Sequence, residues 1–193
     1  MSIRSDDMRV IAGTYKGRRL KAVPGVSTRP TTDKVKEAVF QVIGPYFQGG
    51  TCLDLFAGSG SLGLEAISRG MDRAIFVDQH PKAVQVIKQN VAQLNLESEV
   101  EVFRADAYRA LGAAAKRGLS FDLIFLDPPY GKGQYEKLVS HALELHLLTE
   151  DGIIYCEHAA METPLLNLDE LALLKQENYG GTIGISIYQR RKL

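Results

Sequence analysis

The sequence has only two cysteines, Cys52 and Cys156, and both lie inside apolar runs (TCLDL and IIYCE). Two such cysteines cannot build a disulfide framework and are expected to be reduced core residues of a cytoplasmic protein. The four histidines show no metal-ligand spacing, so no metal is expected. No apolar run approaches the roughly 20 residues of a membrane span. The start, MSIRSDDMRV, lacks an apolar stretch and is expected not to be a secretory signal. Internal repeats and low-complexity segments are absent. So is any segment large enough to read a DNA sequence.

What is present is an ordinary globular balance, 45% hydrophobic and 24% charged, enough to bury a sizeable core. The net charge is zero but uneven. Residues 1–40 hold nine Lys/Arg against four acids, a net +5, which leaves −5 on the remainder. A basic arm on an acidic body suits a polyanion partner. Its cations are Arg9, Lys16, Arg18, Arg19 and Lys21, spread over RVIAGTYKGRRLKAV, which reads as a β-hairpin. The competing reading is a hairpin that covers the sheet and stabilises the fold. PGVSTRPTT is turn-rich and reads as a linker. The spacing then predicts a helix in DKVKEAVFQVI, ended by Gly44-Pro45. The expected division is a basic hairpin and linker over 1–30 and an α/β domain over 31–193.

From residue 51 onward strand and helix patterns alternate. TCLDLF, AIFVD, VEVFRA, FDLIFLD and GIIYCE are short apolar runs, separated by SLGLEAISRG, PKAVQVIKQNVAQLN, DAYRALGAAAKRG and GQYEKLVSHALELH at helical spacing. Runs buried on both faces and joined by helices imply a mostly parallel, doubly wound sheet. LALLKQENY and GTIGISIYQRRK have no helix between them and predict an antiparallel hairpin at the sheet edge.

The first strand runs into Asp54-Leu55-Phe56-Ala57-Gly58-Ser59-Gly60-Ser61-Leu62-Gly63. This is literally G-x-G-x-x-G, so an NAD-type oxidoreductase has to be weighed. Asp54 argues against it, because a carboxylate beside a pyrophosphate is repelled. S-adenosylmethionine, with an amino group and a sulfonium, offers that carboxylate positive charge. Phe56, Ala57, Gly58, Ser59 and Gly60 would form the cofactor loop. Asp78 closes the second strand, with Gln79 after it, where a carboxylate can accept from both ribose hydroxyls; the alternative is a helix N-cap, although His80 lies closer to that position. Asp106, followed by Ala107, would meet the adenine edge or cap its own helix.

The fourth strand ends in Asp127-Pro128-Pro129-Tyr130. In a doubly wound sheet the crevice lies where strand order reverses, so this motif should face the glycine loop. An exocyclic base amine is a poor nucleophile because its lone pair is delocalised into the ring. The Asp127 carboxylate and the Pro128 carbonyl could accept its protons and return the lone pair to nitrogen. Pro128 and Pro129 stiffen the loop, and Tyr130 offers a ring for stacking.

DLFAGSGSLGLEAISRG, LDPPY and RPTTDKVKEAVF together resemble the RsmD-type 16S ribosomal RNA methyltransferases, from about Arg9 to Arg190. The resemblance implies a Rossmann-like seven-stranded methyltransferase sheet with an N-terminal hairpin, S-adenosylmethionine as cofactor, and N2 of a guanine in 16S rRNA of the small subunit as acceptor. It also carries Arg29 and Thr31 over as rim residues of the site. Lys34 and Lys36 stand where this family's segment is expected to have arginines; a lysine keeps the charge and loses bidentate geometry. The competing functions are a DNA adenine-N6 or other amino methyltransferase, and a non-catalytic cofactor-binding assembly factor.

Overall fold

A computed structural model describes residues 8–25, 33–129, 134–161 and 169–192. The described elements are α1 (Asp33–Ile43), β1 (Thr51–Asp54), α2 (Ser61–Ser68), β2 (Arg73–Asp78), α3 (Pro81–Leu94), β3 (Val100–Arg104), α4 (Ala107–Lys116), β4 (Phe121–Leu126), α5 (Gln134–Glu144), β5 (Leu148–Ala159), β6 (Leu171–Tyr179) and β7 (Ile183–Arg190). The strands form one sheet in the order β3-β2-β1-β4-β5-β7-β6. The first five are parallel, and β7 runs antiparallel to both β5 and β6. The predicted terminal hairpin is therefore present, with its second strand inserted between β5 and the edge.

Two apolar layers follow from the alternation of side chains along the strands. On one face Cys52, Phe76, Phe125, Tyr155 and Ile187 pack under α1, α2 and α3; on the other Leu53, Val77, Leu126 and Cys156 pack under α4 and α5. Both cysteines are free and buried. α1 forms because Val35, Val39, Phe40 and Ile43 make one buried stripe, and it stops before Gly44. Pro81 opens α3, and Asn95, left-handed at φ 56°, closes it. β5 is longer than the GIIYCE core. It starts at Leu148, and an irregularity through Asp151 (φ 63°) absorbs the extra residues opposite β4. Among the described residues no helix is long and apolar enough to cross a membrane.

The predicted N-terminal strands are reduced to one antiparallel bridge, Arg9 to Arg19. The reason is where the backbone hydrogen bonds go. The N–H groups of Ile11 and Ala12 donate to the Glu65 carboxylate on α2 at 2.8 and 3.0 Å, and those of Thr14 and Tyr15 donate to Ser68. Lys21 N–H and carbonyl bond the Asn90 side chain on α3. A chain that satisfies its donors on neighbouring helices has few left for a ladder. Gly13 is required at the closest approach, since a Cβ there would lie 1.7 Å from the Ser68 carbonyl oxygen.

Candidate active site

Strand order reverses between β1 and β4, so their carboxyl ends bound the crevice of the sheet. The glycine loop leaves β1 there, strapped to both neighbouring strands: Leu55 N–H donates to Phe125 O and Ala57 N–H to Val77 O. Gly60, left-handed at φ 81°, opens α2 with no side-chain cap. Gly63 lies against β2, where a Cβ would come 2.3 Å from the Phe76 ring. The third glycine thus sets the distance between helix and sheet.

Asp54 is buried beneath this loop. Burial pushes its carboxyl up to about 7; backbone N–H groups of Gly63 and Phe56 bond it and oppose that rise, and the charge of Asp78 adds to it. Asp78 reaches across from β2. Its Oδ2 accepts from Gly58 N–H and its Oδ1 from His80 N–H, both at 2.9 Å. His80 is the N-cap of α3, so Asp78 does not cap that helix and instead joins the glycine loop to the β2 turn. Gln79 is exposed, and its carbonyl accepts from Arg104 Nε at 3.3 Å. Asp106 does cap α4: Oδ1 accepts from Arg109 N–H at 3.0 Å, and Ala107 is buried in the first turn. Its second oxygen is not part of that cap.

Asp127 follows β4 two residues after Phe125, which pairs with Asp54. The motif therefore stands beside the glycine loop. Pro128 is buried and Pro129 exposed; Tyr130 lies outside the described residues. Burial holds the Asp127 carboxyl well above its ordinary range, helped by the charges of Glu157 and Asp54. Glu157 was missed by the sequence reading. It is buried near the end of β5, and the Tyr155 hydroxyl donates to its Oε2 at 2.8 Å. The available signal was a carboxylate in the buried run GIIYCE, on the strand next to the motif.

The basic residues fall into two groups. Arg9 pairs with Asp33 at 2.8 Å, Arg18 donates to Gln93 O at 2.8 Å, and Lys21 Nζ donates to Gln89 Oε1 at 3.3 Å. Lys16 and Arg19 are exposed. Arg29 and Thr31 lie outside the described residues. Lys36 is no surface clamp. It is 1% exposed, and Nζ donates to Arg9 O at 2.8 Å and Ser61 Oγ at 2.9 Å, with Glu65 at 3.5 Å. Burial lowers its proton affinity, against the pull of Glu65. Among the described residues no group of His, Cys, Asp and Glu could hold a metal ion.

A glycine loop and an Asp-Pro-Pro turn on adjacent parallel strands, with an antiparallel β7, define the α/β Rossmann-like methyltransferase fold. The structure described as "Putative methyltransferase yhhF from Escherichia coli" superposes with a TM-score of 0.81 at 32% identity, over 96% of this chain and 98% of that one. The family described as Conserved hypothetical protein 95 matches residues 8–189, and the chain belongs to it, the RsmD-type methyltransferases. A Bacillus subtilis relative, "Putative rRNA methyltransferase YlbH", is 53% identical over 95% of this chain and 100% of its own length. "Ribosomal RNA small subunit methyltransferase D" of Haemophilus influenzae is 34% identical over 95% and 94%.

Proposed function

We propose that the chain methylates the exocyclic N2 amine of a guanine in 16S rRNA of the small ribosomal subunit, in the cytoplasm, with S-adenosylmethionine as donor. The observation that carries this reading is the adjacency of Asp127 to the glycine loop across β1 and β4. The names of the relatives supply the substrate class. The loop suits a cationic donor: two carboxylates, Asp54 and Asp78, bond its backbone, and a pyrophosphate would be repelled. A side chain at Gly58 would meet nothing within 4 Å, so the loop backbone is open to a ligand. When bound, S-adenosylmethionine supplies an electrophilic methyl group on a sulfonium. Asp54 would hold the loop and meet the donor's amino group, Asp78 the ribose, and Asp106 the adenine edge. Asp127 and the Pro128 carbonyl would accept from the amine, and Tyr130 would stack on the base. Much of the remaining rate would come from holding nitrogen in line with the methyl.

The test is incorporation of labelled methyl into small subunits, naked 16S rRNA and DNA, followed by nucleoside analysis. N2-methylguanine in the RNA is the expected product. N6-methyladenine in DNA would replace this reading with the adenine enzyme, and no incorporation would leave a cofactor-binding assembly factor.

Asp78→Ala is expected to weaken cofactor binding about tenfold or more, since a hydrogen bond to a charged group is worth about 1.5–3 kcal/mol. Calorimetry checks this, and an unchanged affinity would place the ribose elsewhere.

The hairpin gives a second measurement. Lys16→Glu with Arg19→Glu reverses two exposed charges while sparing the Arg18–Gln93 and Lys21–Gln89 bonds. The double mutant should melt normally and bind RNA less tightly. Its log–log salt slope should shrink by roughly 1.5, at about 0.7–0.9 per phosphate contact. A normal slope would make the hairpin a cover for α2 and α3 only.

A further inference from the structure

Asp127 does not stand alone. β4 and β5 run parallel with Leu126 opposite Cys156, so Asp127 and Glu157 come next in that register. Leu126 and Cys156 face the α4–α5 layer; one residue further on β5, Glu157 takes the other face, shared with Phe125 and Tyr155, and its charge acts on Asp127 just past the end of β4. Asp54, opposite Phe125, extends the row to β1. Glu157 is 4% exposed, and two tyrosine hydroxyls hold it. The Tyr155 hydroxyl donates to its carboxylate, and the Tyr135 hydroxyl donates to its backbone carbonyl. Tyr135 is the second residue of α5, the helix that follows the Asp127–Gly133 segment. Glu157 is therefore tied to the first turn of α5. Across on β7 it meets Ile185, which carries no charge, while His158 turns to Ser186 on the opposite face.

We propose that Glu157 is a positioning residue of this site: beside Asp127 at the ends of β4 and β5, and fixed by the Tyr155 hydroxyl, it makes Asp127 the acceptor of the proton that the base amine sheds. This rests on the function proposed above. The amine lone pair forms the nitrogen–methyl bond as the methyl–sulfur bond breaks, its electron pair staying on sulfur. The nitrogen is left with one proton too many, and that proton passes to Asp127 and then to solvent. A neighbouring negative charge strengthens the hold of a carboxylate on a proton. The direction agrees with the elevated Asp127 carboxyl, for which burial is the first cause and Glu157 the second. Among the described residues the charges that act on it are Glu157 on β5 and Asp54 on β1, and Tyr155 bonds Glu157.

Two measurements on the full chain test this. The first is melting of the free protein from about pH 5 to about pH 8. Carboxyls raised in the folded state contribute stability below their unfolded value that is lost as pH rises. Glu157→Gln removes one repelling charge, so its melting temperature relative to the unmutated protein should climb with pH; Glu157→Asp should keep the original slope. The second is the pH profile of kcat/KM for methyl transfer. The acid limb in Glu157→Gln should move down by roughly half a unit or more, with a lower plateau and cofactor affinity within about twofold. Glu157→Asp should restore the limb. Tyr155→Phe should move it in the same direction as Glu157→Gln, because Glu157 without its donor binds the proton in place of Asp127, and it serves if Glu157→Gln does not fold. Parallel melting curves, or an unmoved acid limb, would overturn the proposal. Absence of transfer by the unmutated protein would overturn the functional reading and the proton step together, while the melting curves would still read the coupling of the two carboxyls.

Discussion

Asp127→Ala is expected to cut methyl transfer by roughly 10²–10³-fold while S-adenosylmethionine affinity stays within about twofold. The asymmetry follows from where Asp127 stands. Among the described residues the loop backbone bonds run to Asp54, Asp78, Asn90, Phe125 and Val77, none of them to Asp127. The cofactor shelf therefore survives the substitution. On the proposed function, what is lost is the group beside the reacting nitrogen, whose contribution grows as the lone pair localises and positive charge develops. An interaction stronger in the transition state than in the ground state lowers kcat more than it raises KM. Asp127→Asn separates the two parts of the role, since the amide keeps an acceptor oxygen and loses the ability to take a proton. It should fall between the alanine variant and the original chain. Single-turnover transfer to 16S rRNA, with calorimetry of cofactor binding on the same preparations, checks both halves. Near-normal turnover in Asp127→Ala would remove Asp127 from the chemistry.

Most of the sheet was legible because buried parallel strands write themselves as short apolar runs, and five of them alternate here with helical spacings. The layout of the candidate site was legible for a related reason. Its parts follow strand ends, and Asp54, Asp78, Asp106 and Asp127 are each an acid placed just where an apolar run stops. Glu157 escaped because it belongs to β5 itself and its partners, Tyr155 and Tyr135, are set by register and by the packing of α5, which no local pattern records. The hairpin was half legible. Its turn chemistry was visible, but its donors are met by Glu65, Ser68 and Asn90, more than fifty residues away in the sequence. The burial of Lys36 was not legible for the same reason: the residues that enclose it come from the hairpin and α2.

Glu65→Ala is expected to destabilise the chain by about 3–5 kcal/mol, the range for removing one partner of a buried ionic group. Glu65 is fully buried on α2 and its carboxylate serves four groups: Ile11 N–H, Ala12 N–H, Arg69 Nε at 2.8 Å and Lys36 Nζ at 3.5 Å. Arg69 is itself 3% exposed, with its guanidinium 4.6 Å from the Phe40 ring centroid and NH1 on Pro45 O. Alanine would leave two buried cations and two half-buried amide donors without their common acceptor. At about 2–4 °C per kcal/mol for a chain of this size, the melting temperature should fall by roughly 6–20 °C. Glu65→Gln keeps an acceptor of the same shape and should lose less. The damage would reach the site, because Lys36 Nζ also holds Ser61 Oγ, the first residue of α2 after the glycine loop, and Arg9 O in the hairpin. Cofactor affinity should therefore fall in the folded fraction of Glu65→Ala, although Glu65 touches no ligand. Lys36→Met gives the contrast: it removes a cation whose burial already disfavours its charge, and it leaves Glu65 bonded to Arg69 and the hairpin amides. It should cost less than Glu65→Ala. A Glu65→Ala protein that melts within about 2 °C of the original would show that the hairpin and α2 are held by their apolar contacts and not by this carboxylate.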